Sequence, residues 1–120
     1  MVEETKHCDQ MIMNICLSYG SRGEILNACK AIADDVKKGV MNPSEISEST
    51  FKSKLLTGDC PDPDLIIRTS GEFRLSNFLL WQLAYSEMFF LNKQWPELTK
   101  GDLITVIQKY AQDRKRRFGK

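Results

Sequence analysis

The chain has 120 residues, enough for one domain with a modest core. Its 42% hydrophobic and 28% charged residues are ordinary for a globular protein, and a net charge of +1 gives no reason to expect nucleic acid as a partner. The four cysteines form no CxxC pair and the only histidine is His7, which argues against a zinc site. The polar N-terminus does not resemble a signal peptide, and no apolar run is long enough to span a membrane.

The first predicted element is a strand over residues 11–17, an apolar run broken only by Asn14. Such a run is typical of a strand buried on both faces in a parallel sheet. From Gly23 the apolar period becomes helical, and the helix is predicted to end near residues 37–39. Its apolar stripe consists of Ile25, Cys29, Ile32 and Val36. We expect Cys16 and Cys29 to be buried free thiols.

The second half of the chain continues the alternation of helices and strands. The predicted elements are a short helix at 47–56, a strand at 65–67, a helix from 78 to about 84 and a strand at 87–90. A final helix follows a capping box at 99–102, and its residues on one face are Leu103, Ile107, Tyr110 and Ala111. This order predicts an α/β fold with a parallel sheet flanked by helices, in one domain over residues 1–120. About three strands make a narrow sheet, so we expect it to be incomplete or completed by a partner.

The most informative stretch follows the strand at 65–67. Arg68 and Arg74 enclose a turn that contains small hydroxyl residues and Gly71, and Ser76 and Asn77 can cap the predicted helix. A strand, a polar turn and a helix start bring guanidinium groups, backbone N–H groups and a helix dipole together. That combination suits a diphosphate.

This stretch resembles the C-terminal signature of the cis-prenyltransferases, the family of undecaprenyl and dehydrodolichyl diphosphate synthases. The similarity runs from Ile67 to Gln82 and continues through Tyr85, Glu87 and Phe90 to the Trp95-Pro96 pair. An earlier segment, residues 14–25, is similar to the family's strand-to-helix motif, and Arg117-Phe118-Gly119 is similar to its R-x-G tail. The chain therefore resembles the C-terminal portion of a cis-prenyltransferase domain.

The resemblance implies an enzyme that condenses isopentenyl diphosphate with an allylic, farnesyl-type diphosphate to give a long polyprenyl diphosphate. It assigns isopentenyl diphosphate binding to Arg68, Arg74, Ser76, Arg117 and Gly119. It also assigns Glu87 to the coordination of Mg²⁺. On spacing alone, the two arginines are equally well explained as surface ion-pair partners.

The segment that carries the family's metal-binding aspartate has no counterpart in these 120 residues, so the catalytic residue is unknown and we expect the chain to be inactive alone. Phe73 stands where many bacterial members have histidine. An alternative is a non-catalytic partner subunit of a heteromeric enzyme, although such a subunit would not need Arg68, Arg74 and Ser76.

The resemblance also implies a homodimer or a heterodimer with a related subunit, with the tail reaching the neighbour's diphosphate site. Aromatic residues Trp81, Phe89 and Phe90 are expected at the subunit interface. We expect a cytoplasmic protein, with peripheral membrane contact at the endoplasmic reticulum if the source is eukaryotic.

Other charged groups have simpler explanations. Asp62-Pro63-Asp64 has the spacing of a DxD metal motif, but the central proline favours a turn. Arg22, at a helix start, can meet a phosphate or form an internal salt bridge. The basic residues 114–117 are explained equally well by a solvated helix end and by a phosphate-binding tail.

Overall fold

Helices surround a small parallel sheet in the structure, a computed structural model that describes residues 2–113. In chain order the elements are α1 (Val2–Thr5), α2 (Ser21–Lys37), α3 (Glu48–Ser53), β1 (Leu65–Arg68), β2 (Glu87–Phe90) and α4 (Lys100–Asp113), with 3-10 turns at Pro43–Glu45 and Trp95–Glu97. The predicted α/β class with a parallel sheet is confirmed. Within residues 2–113, no helix is long and apolar enough to cross a bilayer.

The sheet pairs β1 with β2 in parallel, and Leu65 lies opposite Glu87 while Arg68 lies opposite Phe90. The pairing continues past β2, because the Leu91 N–H donates to the Arg68 carbonyl over 2.8 Å. A parallel pair needs a crossover connection, and here the connection is the whole signature segment between the two strands. The carboxyl ends of both strands therefore lie at the edge from which that segment departs.

The predicted strand at residues 11–17 does not form, so the sheet of the described chain has two strands instead of the three expected. The side chains of this run are largely exposed, at 76% for Met11, 82% for Ile12 and 82% for Leu17. A strand needs the hydrogen bonds of a neighbouring strand, and residues 11–17 pair with neither β1 nor β2. Apolar composition alone could not supply that neighbour.

Helix α2 forms where the periodicity predicts it, but it turns a different face inward. Its buried residues are Ser21, Glu24, Ala28 and Ile32. Cys29 and Cys16 are exposed, which corrects the expectation of buried thiols. Instead, Cys29, Ile32 and Val36 line an open apolar groove of about 480 Å³ shared with Phe51 of α3. Polar contacts made by Ser21 and Glu24 set the rotation of the helix.

The predicted helix from residue 78 to about 84 is also wrong, because the chain makes successive turns there. Ser76, Asn77 and Leu79 have φ values of 49°, 62° and 45°, in the left-handed region that a right-handed helix excludes. Isolated turn bonds remain, such as Leu83 N–H to the Leu79 carbonyl at 2.9 Å. Leu83 is buried at 3% exposure, so these turns still contribute to the core.

Helix α4 begins at the capping box that the sequence predicts. The Asp102 carboxylate accepts from the Thr99 N–H at 2.9 Å, and the Asp102 N–H donates to the Thr99 hydroxyl oxygen at 3.3 Å. Lys93 donates to the same carboxylate at 2.7 Å. The buried residue of the helix is Val106, whereas Leu103 and Ile107 of the predicted apolar face are exposed.

Asp102 makes the stability of this cap dependent on pH. The Lys93 hydrogen bond, followed by those from Thr99, holds the pKa of the Asp102 carboxyl well below its usual range. A lowered folded-state pKa gives stability that is present above the unfolded-state pKa of about 4 and is lost as the pH falls below it. Asp102→Asn should therefore lower the thermal midpoint most at neutral pH, and this effect should shrink progressively as the pH falls from about 4 to about 2.

Thermal unfolding followed by circular dichroism, at neutral pH and near the acid end of this range, measures the two midpoints. Asp34→Asn, at an exposed carboxylate of α2, is the matched control and should shift the midpoint little at either pH. An Asp102→Asn effect of equal size at both pH values would show that the carboxylate charge does not stabilise the cap.

Candidate functional site

A groove at the carboxyl end of β1 brings together Arg68 and Arg74 of the signature stretch. Its volume is about 440 Å³, and its lining consists of Ile66, Ile67, Arg68, Thr69, Ser70, Glu72, Arg74, Leu75 and Phe78. In open parallel sheets, the carboxyl ends of the strands are the usual place for ligands. The groove therefore combines two guanidinium groups and two hydroxyl groups with an apolar wall.

The turn after β1 is fixed to the chain that follows β2. Ser70 N–H donates to the Lys93 carbonyl at 2.7 Å, and Gly71 N–H donates to the Leu91 carbonyl at 3.0 Å. Both residues have a φ of 65°. Glycine suits position 71 because of this positive φ, and a Cβ there would lie 3.0 Å from Asn92 Oδ1, so the Asn92 side chain would have to shift slightly. The turn thus holds Arg68 and Arg74 on a rigid base.

These bonds change the expected source of anion recognition. The N–H groups of Ser70 and Gly71 bond to carbonyls, so neither points freely at a ligand, and no helix N-terminus follows Ser76. The expectation that backbone donors and a helix dipole complete the site is therefore wrong for these positions. At these positions the guanidinium and hydroxyl side chains are the donors that remain available to an anion.

Arg74 pairs with a carboxylate of its own turn. Its guanidinium contacts Glu72, and the Arg74 side chain keeps 63% of its exposure. Arg68 Nη2 lies 3.5 Å from Ser76 Oγ, a long contact that places the hydroxyl beside the guanidinium. Arg68 and Arg74 thus line the same groove, and Ser76 lies beside Arg68.

Glu87 is not brought to this group. Glu87 lies opposite Leu65, whereas Arg68 lies opposite Phe90. These two pairs are three positions apart, so Glu87 and Arg68 are separated by about 10 Å along the strands. Side chains alternate along a strand, so Glu87 and Arg68 also point to opposite faces of the sheet. Arg117 and Gly119 lie outside the described residues.

The residues present do not build a magnesium site by themselves. Mg²⁺ requires six oxygen ligands, which one or two carboxylates complete with waters and substrate phosphates. Among residues 2–113, no three His, Cys, Asp or Glu side chains are grouped so that they could hold a metal ion. Glu87 is therefore a single carboxylate that forms no metal site with other residues of the described chain.

A buried polar network around Glu24 was not predicted from the sequence. Glu24 is 5% exposed, and its carboxylate accepts from the Tyr19 hydroxyl, from Leu56 N–H at 2.8 Å and from Gln82 Nε2 at 3.2 Å. Burial and the bond to Glu24 raise the pKa of the Tyr19 phenol, which keeps it a donor. Glu24 and Gln82 both lie inside the motifs that resemble the family. The signal available from the sequence was that these two polar residues belong to the motifs although neither has a role in the chemistry.

The aromatic residues expected at an interface pack partly within the chain. Trp81 contacts Phe51 with ring centroids 4.4 Å apart, and Phe90 contacts Phe73 at 4.9 Å. Phe89 is half-buried, while Tyr85 is 76% exposed. An apolar surface therefore remains beside β2.

Comparison with known proteins extends the local resemblance to almost the whole chain. A prenyltransferase family model, described as undecaprenyl diphosphate synthase, matches residues 1–119. The chain is 53% identical over 117 residues to an isoprenyl transferase of Thermotoga maritima, covering 98% of this chain and 49% of that protein. It is 52% identical over 116 residues to the tritrans,polycis-undecaprenyl-diphosphate synthase (geranylgeranyl-diphosphate specific) of Methanopyrus kandleri, covering 97% and 42%.

The fold agrees with these sequence matches. The crystal structure of a probable undecaprenyl diphosphate synthase from Campylobacter jejuni superposes with a TM-score of 0.78 at 38% identity, covering 98% of this chain and 52% of that one. The chain spans about half the length of the curated relatives it matches. The comparisons therefore identify the family of these 120 residues.

The ion pair in the groove yields a test of anion binding. Glu72→Gln should tighten the binding of inorganic pyrophosphate about twofold to fivefold, because the carboxylate competes with the anion for Arg74 and exposed ion pairs are weak. Calorimetric titration of the 120-residue chain measures the affinity, with Glu48→Gln of α3 as the control. Weaker binding in Glu72→Gln would mean that Glu72 orients Arg74 instead of competing for it.

Proposed function

This chain belongs to the undecaprenyl diphosphate synthase family of prenyltransferases, and we propose that it supplies the isopentenyl diphosphate subsite of a cis-prenyl chain-elongating enzyme. The enzyme condenses isopentenyl diphosphate with an allylic diphosphate and releases a polyprenyl diphosphate. The observation that carries the proposal is that Arg68 and Arg74 line one groove at the carboxyl end of β1, with Ser76 Oγ 3.5 Å from the Arg68 guanidinium. The name of the Methanopyrus kandleri relative, which specifies an allylic diphosphate, supports the second substrate class.

The chemistry explains why two arginines are suited to this position. The alkene of isopentenyl diphosphate attacks the allylic carbon as its bond to the leaving diphosphate breaks, and the new carbocation then loses a proton. The diphosphate of isopentenyl diphosphate stays attached, so it must be held still while the alkene is aimed. Guanidinium groups remain charged and contact two oxygens at once, which fixes both position and orientation.

The other groups at the groove have supporting roles in this proposal. The Ser76 hydroxyl donates to a diphosphate oxygen that Arg68 also contacts. Leu75 and Phe78 line the groove and give the isopentenyl carbons an apolar surface. Glu72 holds Arg74 until the substrate replaces it. No residue of this chain is assigned to proton removal.

The rest of the active site requires groups beyond this groove. We propose that Glu87 contributes one carboxylate to Mg²⁺, with the remaining ligands supplied by other parts of the protein or by substrate. We also propose a dimer, homomeric or with a related subunit, in which Arg117 and Gly119 reach the neighbouring diphosphate site. The exposed Tyr85 and half-buried Phe89 beside β2 support an interface there.

Binding of isopentenyl diphosphate to the 120-residue chain tests the proposal without requiring turnover. Arg68→Ala and Arg74→Ala should each weaken binding roughly tenfold to a hundredfold, because a charge-assisted hydrogen bond contributes about 1.5–3 kcal/mol. Lys30→Ala, at an exposed cation of α2, is the charge-matched control and should bind as the unmodified chain does. Calorimetry at two salt concentrations measures the affinities.

Equal affinities for the unmodified chain, Arg68→Ala and Arg74→Ala would show that the two arginines do not bind the diphosphate. Both would then be explained as surface ion-pair partners. A loss of the same size in Lys30→Ala would show that net charge, and not the groove, attracts the diphosphate.

A further inference from the structure

Asn77, in the loop that carries Ser76, makes two hydrogen bonds to the start of α2. Its main-chain carbonyl accepts from Ser21 N–H at 2.8 Å, and its side-chain Oδ1 accepts from Arg22 N–H at 2.8 Å. These are two of the N–H groups that a helix cannot satisfy itself. Asn77 therefore caps a helix that begins 56 positions earlier in the chain, in place of the helix that the sequence predicts directly after it.

The cap coincides with an unusual backbone. Ser76 and Asn77 have consecutive positive φ values, 49° and 62°, and neither is glycine. Asparagine tolerates this region better than most residues, and serine does so at a cost that the surroundings must offset. The bonds to α2 are the surroundings that do this. The conformation they hold is the one that places Ser76 Oγ beside Arg68.

The fit at this junction is close. A Cβ at Gly20 would lie 2.8 Å from Asn77 Nδ2, nearer than real Cβ contacts allow. Gly20 has a φ of −152°, which any residue adopts, so a larger residue there would displace the Asn77 amide without straining its own backbone. Leu80 N–H donates to Ser21 Oγ at 3.0 Å and holds the far side of the same loop.

We propose that Asn77 is a positioning residue for the diphosphate subsite, acting through Ser76 by capping α2. This inference rests on the proposed function. If a loop adopts the binding-competent conformation in only a fraction of the molecules, the apparent affinity for the ligand is multiplied by that fraction. Loss of the cap should therefore lower substrate affinity even though Asn77 does not line the groove.

Isopentenyl diphosphate binding to variants of the 120-residue chain, with thermal unfolding measured alongside, tests the proposal. Asn77→Ala loses both the acceptor and the tolerance of positive φ and should bind about tenfold more weakly, as expected if about one molecule in ten keeps the loop ordered. Asn77→Gly keeps the tolerated φ and loses only Oδ1, so its loss should be smaller. Asn77→Asp keeps an acceptor at Oδ1 and should restore affinity to within about threefold of the unmodified chain.

Two variants outside Asn77 separate positioning from general stability. Gly20→Ala displaces the Asn77 amide by a steric clash and should weaken binding, although its own backbone is unstrained. Ser21→Ala removes the acceptor of Leu80 N–H and leaves both bonds of Asn77 in place. It should lower the thermal midpoint while retaining affinity.

The outcomes divide clearly. Unchanged affinity in both Asn77→Ala and Asn77→Gly overturns the positioning role. The role is also overturned if Ser21→Ala, compared with Asn77 variants of the same thermal midpoint, loses as much affinity as they do. If Arg68→Ala loses binding while the Asn77 variants do not, only this inference fails. If the unmodified chain and Arg68→Ala bind alike, the proposed function fails and this inference fails with it.

Discussion

The buried carboxylate of Glu24 is the constraint on which the rest of the structure depends. A buried charge is costly unless hydrogen bonds replace the water it has lost. Glu24 receives three from neutral donors, and each donor belongs to a different segment: Tyr19 before α2, Leu56 after α3 and Gln82 in the turns before β2. Satisfying one side chain therefore requires three stretches of chain to meet at the same point.

This requirement extends beyond Glu24 itself. Gln82 Nε2 also donates to Thr57 Oγ1 at 2.8 Å, and so connects the α3 loop to the turns a second time. Hydrogen bonds in such a network depend on one another, since removing one partner leaves another buried group unsatisfied. The turns at residues 76–82 are consequently held against α2, and their other end continues into the loop that carries Arg74 and Ser76. The geometry of the groove thus depends on the polar network around Glu24.

Much of the fold could be predicted from the sequence, where local patterns decide the outcome. The strands β1 and β2, the bounds of α2 and the capping box of α4 follow from apolar runs, helical period and cap residues close in sequence. Arg68 and Arg74 line the same groove because both belong to the short turn that leaves β1, whereas the shared role of Arg68, Arg74 and Ser76 in binding stays a prediction. The failures all involve distant partners. Residues 11–17 need a neighbouring strand, α2 turns toward Glu24's donors, and Asn77 caps a helix far away in sequence instead of starting its own.

Amide hydrogen exchange at Leu56 tests the central role of Glu24 most directly. This N–H lies in the loop after α3, and its acceptor is the Glu24 carboxylate, 2.8 Å away. The account predicts that the Leu56 amide is protected in the unmodified chain and loses protection in Glu24→Ala, together with Ser21 and Leu80 amides across the junction. Loss of protection at Leu56 alone, with Ser21 and Leu80 still protected, would contradict the claim that the buried carboxylate holds the three segments together.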